Sequence, residues 1–517
     1  MVDNLDFDER ERKRRRQFIK VVIAEIGMVL AIIAVVIVAT LSAMGFFVSS
    51  NGTIEQSGLI QIHSMPTGAS IELDGSTIFP RTNTSRTLTP GEHTIKLSKD
   101  GYDTWKKTIK MYAGMLIRLY YPRLFLLNRE AETVMKLGES LEFYSTSKDY
   151  NNILYAVTDS TEWALVDIRN DDVRTIKLDM SGVLPGVEKV AGKAQFQGSI
   201  DEIKWTKNSD YVLVRTTFDS KSEWILVSLK DVKQSLNLTR TFGLEFSQVE
   251  LIDGMANQLF VLENQQLRKI NTNDRTISRV LLSDVQNFAC ESTNVIYVAT
   301  KLENENDSEK KLKIIGVYRD GERGGTTLAR MSSDNVVRVS ISKYYDDNYL
   351  GIFVNDEVTV YYGAIPSYRE KMGETDFSGL KVLVEKTKLS LIPDKIEVSS
   401  ESEYMVARHD RQFAVIDLDM GDIYEYKSES AKLHWLDTSM MSAVVDGELI
   451  VWDFDNTNQR VLVTSNRDSM ENADPVTTFS NAKLMNYEPV ITMNNKWIYY
   501  TVKSGNETVL VREKIRD

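Results

Sequence analysis

Carboxylates are the side chains in this sequence whose types and spacing come closest to doing chemistry. Asp417, Asp419 and Asp422 cluster in IDLDMGD, and Asp453, Asp455 and Asn456 cluster in WDFDN. Hard cations such as calcium select clustered oxygen ligands of this kind. Neither group has the glycine and terminal glutamate at the spacing of an EF-hand loop, and both stand where sister segments carry a plain hairpin turn. They read as turn residues, and no metal is expected. His63 and His93 fall in separate strand patterns without a third ligand at a useful spacing. His409 and His434, the remaining histidines, also sit inside strand patterns, which excludes a histidine-rich metal centre. The single cysteine, Cys290 in NFACES, reads as a small buried side chain, and one thiol cannot form an intramolecular disulfide. No Gly-x-Ser-x-Gly elbow, no phosphate-cradling loop ending in Lys-Ser or Lys-Thr and no HExxH occurs. No catalytic, metal or cofactor-binding residue is therefore assigned. Carboxylate pairs for glycoside hydrolysis stay open, because they come from distant parts of a chain.

The element that places everything else is Ile26 to Val48, IGMVLAIIAVVIVATLSAMGFFV, which carries no charged side chain. At about 1.5 Å per residue it spans roughly 35 Å, enough for a bilayer core of about 30 Å. A cleaved signal peptide has a shorter apolar core of about 7–15 residues, and Leu41-Ser42-Ala43 is a poor cleavage site, so the stretch reads as an uncleaved signal anchor. Arg10, Arg12, Lys13, Arg14, Arg15 and Arg16 precede it, whereas the following SSNGTIEQS has no Lys or Arg. Basic flanks stay in the cytoplasm. The expected layout is a short disordered cytoplasmic tail at 1–17, a transmembrane helix at 18–48 meeting lipid over 26–48, a linker at 49–57, and the remainder outside. Lys20 snorkels and Glu25 stays wetted at the inner edge. Gly27 with Ala31, and Ala39 with Ala43, are small residues four apart that permit close helix contact.

A chain of 517 residues is too long for one core, so two or more outer domains are expected. The formal charge is -12, and the first twenty residues are net basic, so the exterior is more acidic still. An acidic surface without a basic run argues against nucleic acid or another anionic polymer as partner.

From Gly58 to about Arg123 the texture is that of short strands: Leu59 to His63, Ile71 to Leu73, His93 to Leu97 and Trp105 to Met111. Turn signals separate them at Pro66-Thr67-Gly68, Asp74-Gly75, Pro90-Gly91 and Asp100-Gly101. This pattern predicts a small antiparallel sandwich over 58–123. With Pro66-Thr67-Gly68-Ala69, Asp74-Gly75, Pro90-Gly91-Glu92-His93 and Gly101-Tyr102 before Trp105, the stretch resembles the PEGA domain, an immunoglobulin-like module of bacterial extracytoplasmic proteins. Thr67 stands in place of the usual Glu, and the family's central Gly-Thr-Pro is not evident. The resemblance implies a structural or adhesive spacer with no catalytic residue to carry over.

From Glu132 to Asp517 the chain repeats itself. Four clear units, around Asp167, Asn271, Asp417 and Asp453, each show an apolar strand, a polar turn, a second strand ending in Asp or Asn, a second turn and a third strand. Each reads as the inner part of a four-stranded blade. Fainter copies lie at 200–229, 295–318, 337–363 and 494–515, giving units of roughly 48 residues, which is the spacing of a β-propeller. The last unit is expected to complete a blade begun by Thr133 to Leu137, leaving seven or eight blades. Trp452-Asp453 and Trp205-Thr206-Lys207-Asn208-Ser209-Asp210 make the repeats similar to WD40 and TolB-like propellers, without the Gly-His signature of strict WD40 repeats. Val183–Ser199 and Ala364–Pro393 break the rhythm and read as loop insertions. Trp163, Trp205, Trp224, Trp435, Trp452 and Trp497 are expected to pack between blades rather than stand exposed as sugar platforms.

The expected fold class is thus all-β outside the membrane: one N-terminal transmembrane helix, a PEGA-like sandwich and a propeller at 132–517. The expected function is that of a non-enzymatic, single-pass envelope protein whose propeller offers a platform to an envelope protein or cell-wall polymer. The alternatives are an enzyme acting on glycan or peptide through carboxylates in the central channel, and a sensor relaying through a cytoplasmic partner.

Overall fold

The computed structural model describes the whole chain except residues 1–2, 44, 49–51, 306–307, 369–374, 431, 465–476 and 479–481. It divides into two compact units, Met1–Leu124 and Phe125–Asp517.

The first unit opens with a helix, α1, over Asp3–Ala43. The expected disordered tail is therefore helical from Asp3 on. Within α1, Phe18–Ser42 is long and apolar enough to cross a membrane. The apolar segment does not stay helical to Val48. Gly45, at φ 82°, ends the helix, and Phe46–Val48 turns back as a strand against Ile54–Gln56, inside what reads as linker in the sequence.

The small sandwich follows. One sheet holds Gly58–Ile62 between Thr84–Leu88 and Leu116–Leu119, and the other runs Ser76–Ile78, Ser70–Leu73, Gly91–Ser98, Thr104–Met111. It is not purely antiparallel, since the first strand pairs in parallel with the last. Ile60, Ile71, Ile95, Leu97 and Trp105 fill the space between the sheets and are fully buried. Gly58 is required there, because a Cβ would lie 2.0 Å from the Met111 sulfur.

In the second sheet His93 places Nδ1 2.7 Å from an Asp74 carboxylate oxygen and Nε2 2.8 Å from the Thr89 carbonyl. Both partners only accept, so both ring nitrogens donate and the ring is charged. Burial lowers the His93 pKa, but the bonds to Asp74 and Thr89 outweigh it and the net shift is upward; the bond from His93 holds Asp74 below its ordinary value. The His93 contribution is complete below about pH 6.5 and disappears as pH rises through its raised folded pKa, whereas that of Asp74 is lost as pH falls below about 4. Amide exchange of Gly91–Ser98 in the intact chain should accordingly be slowest between about pH 4 and 6.5 after correction for intrinsic rates, and His93→Ala should erase the alkaline loss.

Among the described residues the second unit contains, besides one two-stranded hairpin, six four-stranded and two five-stranded sheets. In chain order their first strands begin at residues 141, 199, 248, 285, 337, 395, 434 and 482, and these first strands lie inward, where those of neighbouring sheets touch. Apolar clusters join each sheet to the next: Trp163 and Trp205 between the first and second, Leu213 and Val261 between the second and third, Phe260 and Tyr297 between the third and fourth. Others join the fourth through sixth blades and the seventh to the eighth. Tyr404 bridges sixth and seventh by stacking on Trp435 and Phe454. Tyr499 and Tyr155 then join the eighth to the first, so the ring closes into an eight-bladed propeller.

Closure is covalently staggered. The outermost strand of the eighth blade is Ala131–Gly138, which pairs antiparallel with Glu507–Lys514. All eight repeat units seen in the sequence are blades, and Asp167, Asn271, Asp417 and Asp453 each end a third strand. The four clear units are nevertheless strands two to four, the outer part of the blade and not the inner. Second and third strands such as Asn152–Val157, Glu162–Asp167, Tyr404–His409 and Gln412–Asp417 are continuous buried apolar runs, and these runs are what mark the units in the sequence. Of the two apparent insertions, 183–199 holds an added hairpin, Val187–Val190 with Lys193–Phe196, between blades one and two. The second, 364–393, contains Leu380–Lys388, the fourth strand of blade five, and is only partly a loop.

Candidate functional site

The axis of a propeller is lined by its first strands, and here the charges on them are matched. Lys204 on Ser199–Trp205 reaches Glu250 at 2.8 Å, Glu202 at 3.2 Å and the Val249 carbonyl at 3.0 Å. Burial lowers its pKa, but Glu250 and Glu202 outweigh that and hold the ammonium charged. Glu397 on Lys395–Val398 meets Lys395 and, at 3.4 Å, Arg408. Glu488 accepts from the Thr146 amide at 2.8 Å and hydroxyl at 3.0 Å, which pins blade eight to blade one; burial raises its pKa against those two donors. Burial also lowers His434 to about 4, leaving a neutral ring. Glu202, Glu250, Glu397 and Glu488 are thus paired or held by donors, whereas burial raises the pKa of Glu291 at the end of Val285–Glu291.

The turns between first and second strands gather at one mouth of this channel. In blades one, two, six and eight they share one construction. The amides of Ser147, Thr206, Ser399 and Thr492 donate to the carbonyl five residues on, and their hydroxyls accept the amide of that same residue. The residue three positions after each, Tyr150, Ser209, Ser402 and Asn495, has φ between 54° and 60°. The Thr206 turn is the TolB-type turn legible in the sequence; SKDYNN, SSESEY and TMNNKW carry the same Ser or Thr at the start and escaped notice. This mouth also carries three exposed apolar side chains: Tyr345 at 67%, Met493 at 61% and Met255 at 40%.

Between blades five and six the mouth becomes acidic and aromatic. Tyr344 and Tyr345 form the turn of blade five, their rings 4.5 Å apart, with Tyr349 stacked on Tyr362 behind. The Tyr344 hydroxyl donates to Glu403 at 3.3 Å, from the turn of blade six. Asp417, buried at the end of Gln412–Asp417, is held by the amides of Asp419 and Met420 at 2.8 and 3.2 Å. Burial, then the neighbouring Asp417 carboxylate, pushes Glu403 up to about 7; burial pushes Asp417 up to about 6. Among the described residues this is where carboxylates converge without a base beside them. Sequence reasoning reached Asp417 but not Glu403, because their meeting depends on two turns packing together; the run Tyr344-Tyr345 is the only local sign.

The other residues singled out in the sequence have structural surroundings. Asp453 accepts from the Asn458 side chain at 2.9 Å, and Asp455 accepts from the Thr457 hydroxyl at 2.6 Å, closing a turn. Among the described residues no three His, Cys, Asp or Glu side chains stand together so as to hold a metal. The Cys290 thiol points at the Leu251 carbonyl 3.7 Å away, and burial raises its pKa well above the ordinary thiol value. Trp163, Trp205, Trp224, Trp452 and Trp497 are buried, and Trp435 is half-buried against Tyr404. His63 stacks on Tyr120.

Residues 57–122 match the family model for the PEGA domain. The small sandwich is a PEGA domain. The Pro66 turn, the Asp74-Gly75 hairpin and the Gly101-Tyr102-to-Trp105 segment of that PEGA domain occupy the positions expected from the sequence. No curated protein matches the chain. Among solved structures, an oligogalacturonate lyase in complex with manganese shares 12% identity over 74% of this chain and 99% of its own, at a TM-score of 0.35. The Dos1 propeller shares 10% over 74% and 93%, at 0.40, and TolB from Acinetobacter baumannii shares 13% over 55% and 65%, at 0.32. Scores this low assign no site, and the propeller rests on the strand pairing described above.

Proposed function

We propose that the chain is a non-enzymatic protein of the bacterial cell envelope. It is anchored by Phe18–Ser42 with its N-terminus in the cytoplasm, and its propeller serves outside as a platform for a protein or cell-wall partner. The observation that supports this most is the pairing of charges on the first strands: Lys204 with Glu202 and Glu250, and Glu397 with Arg408. The exposed Tyr345, Met493 and Met255 supply apolar contacts of the kind that anchor protein interfaces.

A second reading, an enzyme acting on glycan or peptide, is favoured by one observation, the unneutralised Glu403 and Asp417. A carboxyl titrating near 7 suits a general acid. The two readings separate in one experiment on intact cells carrying the full chain with a C-terminal tag. After crosslinking, the platform reading expects stable recovery of one envelope protein or retention on purified cell wall, unchanged by Glu403→Gln. Release of shortened wall polymer or peptide that Glu403→Gln abolishes would overturn it.

A further inference from the structure

The PEGA domain stands directly on the end of α1. The amide and hydroxyl of Ser57 both bond to the Gly45 carbonyl, at 2.8 and 2.9 Å, and the Gly45 amide bonds to Ser42 at 3.0 Å. Phe46–Val48 pairs with Ile54–Gln56 beside this contact, and the first strand of the domain, Gly58–Ile62, begins next to the end of the apolar helix. Strand register fixes what else lies at that end. Gly58 pairs with Leu88, and Gly91 pairs with Met111. The Gly114 amide bonds to the Ser57 carbonyl at 3.2 Å. The 89–92 and 112–115 turns therefore flank the 46–56 hairpin at the end of α1. The 65–68 and 79–83 segments occupy the opposite end, joined by the bond from the Gly68 amide to the Thr82 carbonyl.

The helix-side turns carry Ile54 at 67% exposure and Tyr112 at 54%, with the Lys110 ammonium 5.2 Å over the Tyr112 ring. A tyrosine with its ring in apolar surroundings and its hydroxyl wet, beside a lysine with a long stem, is the chemistry favoured at the depth of lipid headgroups. With the helix-to-domain offset closed by Ser57, these groups have no aqueous gap in which to stand. We propose that this end of the PEGA domain lies in the headgroup layer of the membrane that α1 crosses, with Ile54 and Tyr112 as its inserted side chains. The domain is then a seated base that holds its first strand against the bilayer rather than a free spacer. This rests on α1 being a membrane anchor.

The test places a nitroxide at single cysteines in the full chain with Cys290→Ser, reconstituted in phosphatidylcholine–phosphatidylglycerol vesicles, and compares collisions with oxygen and with a water-soluble nickel complex. Labels at Ile54→Cys and Tyr112→Cys should favour oxygen several-fold over a label at Phe79→Cys, at the far end, which is 73% exposed. Equal nickel access at 112 and 79 would overturn the proposal. So would shielding from both reagents with dipolar broadening, which would mean that a second copy of the chain covers the surface. A label at Val35→Cys tells the two levels apart. If it is lipid-exposed while 112 is wet, the anchor stands and the seating fails; if it too is wet, the anchor reading falls and the seating with it.

Discussion

Deleting Ala131–Gly138 from the full chain is expected to abolish the cooperative unfolding of the propeller and leave a dye-binding, protease-sensitive ring. That strand completes the eighth blade, and without it Glu507–Lys514 becomes an unpaired edge with its apolar face uncovered. A gentler version targets the segment that leads into it. Arg129, 4% exposed at its side chain, bonds to the fully buried Glu513 at 3.1 Å and to the Leu462 carbonyl at 2.9 Å. The Tyr500 hydroxyl meets the other oxygen of Glu513 at 2.5 Å. Removing one member of a buried ion pair typically costs about 3–5 kcal/mol, because the other charge stays buried and unpaired. Arg129→Met should therefore lower the propeller Tm by several degrees or more, and Arg129→Met with Glu513→Gln should recover part of the loss. An unchanged melting curve for Arg129→Met would mean that closure does not depend on this pair.

The second large effect is one of pH. Glu403 and Asp417 have folded pKa values of about 7 and about 6, above their ordinary values of 4.5 and 3.8. The folded state then holds protons that the unfolded chain has released, so stability falls as pH rises from about 4 to about 7. At pH 8 both carboxylates are charged in a crowded acidic corner, and each works against folding. Glu403→Gln keeps an oxygen for the Tyr344 hydroxyl and removes the charge, so it should stabilise the propeller at pH 8 by roughly 1–3 kcal/mol, the upper figure corresponding to about 1.4 kcal/mol per pKa unit. Asp417→Asn, which keeps an acceptor for the Asp419 and Met420 amides, should act in the same direction. Denaturant titrations at pH 5 and 8 check this; a wild-type profile flat between them would refute the assignment.

These outcomes bear on how far the residues alone can be read. Blade positions were legible because second and third strands are continuous apolar runs and the third ends in Asp or Asn, as at Asp167 and Asp417. First strands were legible only in part: those at 199–205 and 337–344 lie within the fainter units, but His434–Trp435 is two residues long, and Ala482–Leu484 is separated from Val490–Ile491 by the segment that carries Glu488. The strand Leu380–Lys388 was hidden by a long preceding loop and by the run of lysines on its exposed face. At the rim, Asp417 belongs to a local turn and could be found, but Glu403 and Tyr344 come together only through the packing of two blades.

The staggered closure of the ring has a consequence for how the protein is made. The strand at 131–138 leaves the ribosome roughly 370 residues before its partner at 507–514. At about 5–20 residues per second that is a wait on the order of 20–75 s. Throughout that interval seven blades can stack in sequence while Ala131–Gly138 stays unpaired and the apolar faces of the first and seventh blades that the eighth covers stay open. Biogenesis of this propeller therefore ends in a single late docking event between the earliest and latest synthesised parts of the ring. Until it happens, the ring stays open.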